Sequence, residues 1–143
     1  MPTAKDPMDP SFCTTLYSDK DEGKINPSHI EIRREVLEVH RTMTGRIFFQ
    51  CAFCKHLPQN ERKGSIYAPQ RVENIYRANV RFMMGHVRSC KFISQRLRAL
   101  DPKAKNKVPK ANIRHHWIKS THAMGLINGD HGIILCPEVN HTR

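Results

Sequence analysis

Acidic side chains are scarce along the middle of this sequence. Residues 45–119 hold three Asp and Glu against 17 Lys and Arg, and the 143-residue chain as a whole carries a formal charge of +11. A tract so poor in carboxylates favours a polyanionic partner over an acidic small molecule. Long apolar runs are missing too. None approaches the roughly 18 residues that cross a bilayer, and the opening "MPTAKDPMDPSFC" has neither the basic start nor the apolar centre of a secretory signal. These absences predict a soluble, intracellular protein with no membrane partner. There is no Gly-rich phosphate loop, no Ser or Cys nucleophile motif and no internal repeat, so no small-molecule substrate is evident. Apolar residues make up 38% of the chain and mean hydropathy is −0.60, values that predict some of the chain outside any core. A chain of this length still buries about two-thirds of its unfolded surface, enough for one small core without disulfides. The five cysteines are an odd number, which argues against a secreted disulfide framework and makes metal binding the first reading of any close pair.

Residues 1–27 set Pro2, Pro7, Pro10 and Pro27 among polar side chains, which predicts a disordered or irregular arm. From Ser28 the text changes. "SHIEIRREVLEVHRTM" repeats Ile32, Val36, Val39 and Met43 at intervals of three and four, the pattern of a short amphipathic helix capped by Ser28. Gly45 ends it, and "RIFFQC" reads as a strand running into Cys51. "GSIYAP" is a second short strand, closed by Pro69. Residues 70 to about 98 carry the longest helical pattern, free of Pro and rich in apolar and Arg positions. Pro102 breaks it, and 101–111 reads as a basic linker. Residues 112–143 predict a helix from Asn112 to Gly125, with Ile113, Trp117, Thr121 and Met124 on one side, then a hairpin turning at Asn128 and Gly129. The expected fold is a small α+β domain: a two-stranded Cys hairpin packed on a long helix within 28–100, with flanking helices and the C-terminal hairpin packed on that module.

The chemistry is carried by C-x2-C-x31-H-x3-C, namely Cys51, Cys54, His86 and Cys90. A C-x2-C knuckle at a strand end wraps two sulfurs around one ion, and an i, i+4 pair on a helix projects both side chains the same way. Three thiolates and an imidazole make a closed tetrahedral site of the kind structural Zn2+ takes. On a helical wheel Val72, Ile75, Tyr76, Asn79, Phe82, Met83, His86, Val87 and Cys90 share one face, so both helical ligands point at the core. Arg77, Arg81 and Arg88 form a separate stripe opposite. Two other readings stand beside zinc: an unliganded core Cys and His, and a thioredoxin-like redox pair. The redox pair lacks the βαβ surroundings it needs. His56 is the substitute ligand.

The run from Gly45 to about Ile93, with "QCAFC", "KGSIYAP", "IYRANVRFMMGH" and "HVRSC", resembles an uncharacterised cysteine and histidine module recurrent in algal, notably diatom, proteins. More loosely it resembles BED-type zinc fingers, in which a Cys pair on a hairpin and a His with His or Cys on a helix hold one zinc. The BED likeness implies DNA binding; the algal likeness implies no known activity. The gap of 31 exceeds that of a typical BED finger, and Phe48 and Phe49 match its leading aromatics only weakly. "HHWIKSTHAMGLINGDHGI" is similar to text found downstream of the algal module.

Arg77, Arg81, Arg88, Arg96, Arg98, Lys103, Lys105, Lys107, Lys110 and Arg114 together make a nearly acid-free tract, whereas a merely soluble surface mixes signs. The leading expectation is therefore a non-enzymatic, nuclear module, built on one structural zinc, that contacts the phosphates of DNA or RNA. The runner-up is a zinc-stabilised protein-interaction domain meeting an acidic protein partner. A third reading draws on His115, His116, His122, His131, Cys136 and His141 for a metal-dependent nuclease of HNH type. Its spacing is not diagnostic, and Asp130 and Glu138 are the only acids near it.

Overall fold

The computed structural model describes residues 6–58, 61, 64–103 and 108–136. Two short apolar runs decide the architecture. "LEVHRT" and "IFFQC" become strands β2 (Leu37–Thr42) and β3 (Ile47–Cys51), joined by a tight turn in which Gly45 adopts φ +95°, a conformation glycine tolerates best. Antiparallel pairing sets Leu37 opposite Cys51 and Arg41 opposite Ile47. Strand β1 (Met8–Thr14) adds to the outer edge of β2 and β4 (Ile66–Tyr67) to β3, giving one antiparallel sheet in the order β1-β2-β3-β4. Every residue of β3 is buried, as befits an inner strand covered on both faces.

Helix α1 (Pro27–Glu35) opens with Pro at its first turn, where the missing N–H costs nothing. Helix α2 (Ile75–Gly85) lies between two single 3-10 turns, Val72–Asn74 and Val87–Ser89, and is followed by the short α3 (Gln95–Arg98). Helix α4 (Lys110–Ala123) buries Ile113, Trp117 and Thr121. It leads through Gly125 into the hairpin of β5 (Leu126–Gly129) and β6 (Gly132–Leu135). That hairpin is tied to the rest at three points. Val72 N–H donates to Asn128 Oδ1 at 2.7 Å, Asn128 Nδ2 donates to Glu73 at 3.0 Å, and Arg46 bridges Ile134.

The α+β class matches the expectation, but five elements differ. Within the predicted arm of 1–27, β1 pairs with β2, and Leu16 and Ile25 enter the core. The predicted helix from Ser28 stops at Glu35, and residues from Leu37 pair with β3 instead, because branched Val39 and the strand partner outweigh local helical spacing. The predicted long helix over 70–98 is broken after Gly85 and again at Cys90, whose ψ of 116° is extended. Helix α4 starts at Lys110, behind Pro109, rather than at Asn112. The final turn falls at Asp130 and His131 rather than at Asn128 and Gly129.

Buried polar groups fasten the layers. Arg33 and Asp21, both fully enclosed, pair at 2.9 Å, and the guanidinium also donates to Ser120 at 3.1 Å and stacks on Trp117 at 3.9 Å. His116 reaches the same Asp21 oxygen at 2.8 Å. His29 in α1 accepts from Asn79 Nδ2 at Nδ1 (3.3 Å) and donates from Nε2 to the carbonyl of Pro102 (3.1 Å), pinning α1 to α2 and to the chain after α3. Among the described residues no helix is long and apolar enough to cross a membrane.

Candidate metal centre

Strand β3 delivers Cys51 fully buried to the end of the sheet, where its N–H donates to the Ser65 carbonyl. The chain then turns. Cys54 N–H donates to Cys51 O at 3.1 Å and Ala52 N–H to Val36 O at 2.8 Å, so the knuckle is anchored to the start of β2. From the other side, His86 caps the C-terminus of α2, donating its N–H to Phe82 O. A column of aromatic rings sets its imidazole. Phe49 stacks on Tyr67, Tyr67 meets Phe82, and Phe82 stacks on His86, with centroids 5.1, 5.1 and 5.3 Å apart. The 3-10 turn Val87–Ser89 then brings Cys90 inward.

The four side chains meet. Cys54 Sγ lies 3.5 Å from His86 Nε2 and 3.5 Å from Cys90 Sγ, and one donor atom from each of Cys51, Cys54, His86 and Cys90 lies within 4.8 Å of all the others. The edge of a tetrahedron around a thiolate-bound ion is about 3.8 Å, so the cluster could hold a metal ion with little movement. The thiols themselves favour a cation. Burial pushes Cys51 up to about 11, and burial together with the neighbouring sulfurs raises Cys54 further; such groups ionise only when positive charge is supplied. Burial also lowers the basicity of His86, keeping a neutral lone pair available. The predicted ligand set is thus brought together, although His86 and Cys90 do not stand one turn apart on a single helix. His56 is exposed and outside the cluster.

The predicted basic residues divide. Arg77, Arg81, Lys103 and Lys110, together with Arg114, line a groove of about 730 Å³ between α2 and α4, floored by Tyr76, Val80, Met84, Val108 and Ile113. Among the described residues none of the five makes an ion pair. Arg88 is exposed beyond the groove. Arg96 is committed elsewhere, to Glu31 at 3.1 Å and Glu35 at 2.9 Å, because α1 supplies the carboxylates that its own stretch lacks. Arg98 is half-buried with its Nε enclosed. Lys105 and Lys107 lie outside the described residues.

The described histidines of the C-terminal third do not assemble into a metal site. His115, His122 and His131 are exposed, His116 is held by Asp21, His122 Nδ1 meets the Leu126 carbonyl, and among the described residues none joins a metal-ligand cluster. Glu138 and His141 lie outside the described residues.

Sequence reasoning passed over two features. Tyr76 forms part of the groove floor with Arg114 at 5.9 Å from its ring. Cys13, Glu38 and His40 form a second donor group, signalled in the sequence only by the alternation of Glu38 and His40. Comparison with family models, curated proteins and solved structures gives no match for this chain, so what it does is read from these residues alone.

Proposed function

We propose that this chain is a zinc-stabilised nucleic-acid-binding module without catalytic activity, working in the nucleus. One structural Zn2+ on Cys51, Cys54, His86 and Cys90 clamps the knuckle to α2, and the groove between α2 and α4 receives phosphates. Three thiolates and one imidazole are a donor set that structural zinc takes, and four protein ligands leave no position for a substrate water. The observation that carries the reading is the groove itself. Arg77, Arg81, Lys103, Lys110 and Arg114 surround an apolar floor with no carboxylate among the lining residues. Cations at such a rim displace condensed counterions from a nucleic-acid backbone, while the floor takes sugars or unstacked bases. The likeness of residues 45–93 to BED-type fingers points the same way.

Titration of the zinc-loaded chain with single- and double-stranded nucleic acid over a salt series tests this reading. Log affinity is expected to fall linearly with log salt, by about 0.9 for each duplex phosphate contacted or about 0.7 for each single-strand phosphate. Reversing Arg77 and Arg81 to Glu abolishes retention while the zinc content stays unchanged. A flat salt response, or retention that survives the reversal, overturns the reading and leaves the groove to an acidic protein partner.

A further inference from the structure

On β2, Glu38 and His40 stand two residues apart and so share one face of the sheet, opposite to that of Leu37 and its cross-strand partner Cys51. On the neighbouring β1 the register shifts between Met8 and Cys13, around Pro10, and the shift sets Cys13 opposite His40. Cys13 Sγ then lies 3.9 Å from His40 Nε2, His40 Nε2 lies 3.0 Å from Glu38 Oε1, and all three donor atoms fall within 4.8 Å of one another.

Convergence on a single ring nitrogen decides what this group can do. A cysteine nucleophile relay uses both imidazole nitrogens, one facing the thiol and the other the acid. Here both neighbours face Nε2, while Nδ1 is buried without a hydrogen-bond partner among the described residues. Three unlike donors around one point is how a cation is held. We propose that Cys13, Glu38 and His40 form a second zinc site, separate from the first and open. Thiolate, carboxylate and imidazole occupy three positions, and because Cys13 lies at the surface a water takes the fourth. On binding, the thiol proton leaves to solvent, the imidazole carries its hydrogen on Nδ1, and no electron moves. Gln50, cross-strand partner of Glu38 on this face, likewise has a buried amide with no partner among the described residues. Lys55 Nζ sits 3.0 Å from Glu38 Oε2, leaving Oε1 for the ion. Its charge makes this the weaker site, and its place next to Cys54 joins the two sites through one residue of the knuckle.

Equilibrium dialysis of the full chain against Zn2+, with bound metal measured by elemental analysis, tests the proposal independently of the groove. Cys13→Ser, a change at an exposed position, and Glu38→Gln are each expected to bind one equivalent fewer than the wild type while keeping the first equivalent and, with it, a cooperative melting transition. In the Co2+-loaded chain, Cys13→Ser removes the charge-transfer intensity of one thiolate. Either variant binding as much zinc as the wild type overturns the second site.

Discussion

Arg33 carries its charge at full burial, and Asp21 is what makes that tolerable. Taking two charges out of water is costly, but removing only one partner is costlier, because the survivor stays enclosed and unpaired. Asp21→Asn is therefore expected to destabilise the chain by about 3–5 kcal/mol, read from the denaturant midpoint, whereas His116→Gln, at a partly exposed position, costs far less. His29 gives the molecule a pH dependence of its own. Burial lowers its basicity to about 4 from 6.5, so the folded state refuses a proton that the unfolded chain accepts. Its contribution is complete above pH 6.5 and is lost as pH falls toward 4, amounting to about 3 kcal/mol. The difference in stability between wild type and His29→Gln across that window isolates the effect from acid release of bound metal. Neither residue announced itself in the sequence. An arginine and a histidine in an amphipathic pattern read as solvent-facing, and only the partners brought by distant segments bury them. The clustering of the four candidate ligands was legible, because C-x2-C and H-x3-C constrain geometry through chain length alone.

At the scale of elements, local pattern and tertiary pairing disagreed twice. The spacing of Val36, Val39 and Met43 imitates a helix, yet β2 forms there because β3 offers a continuous apolar partner. Pro10 and the polar residues around it conceal β1, and an outer strand is the one place in a sheet where Pro is tolerated. Along α2 and the turn before it most of the apolar face was read correctly, since Val72, Ile75, Asn79, Phe82 and Met83 are buried, while Tyr76 is half-buried at the groove. The length of the helix was not: the text is Pro-free, and Gly85 is the one residue that marks the loosening after it. The column Phe49, Tyr67, Phe82 and His86 joins sheet, helix and ligand. Phe82→Ala is expected to cost about 3–5 kcal/mol and, by loosening His86, to weaken metal retention. Denaturation combined with chelator competition checks both effects.

For the molecule as a whole, an ion held by the first cluster, as proposed, would fasten the end of the sheet to the end of α2. Structural zinc is worth on the order of 10 kcal/mol in small domains, comparable to their entire stability. Cys90→Ser is accordingly expected to lose bound zinc and most of its cooperative melting transition, and a strong chelator to do the same to the wild type. The outer strand has a practical consequence for anyone dissecting the chain. A fragment trimmed to begin at Ser28, the boundary that composition suggests, leaves the β2 backbone unpaired along one side and the guanidinium of Arg33 without its counter-charge. Such a fragment is expected to precipitate through strand addition between copies, and size-exclusion chromatography beside the intact chain would reveal it.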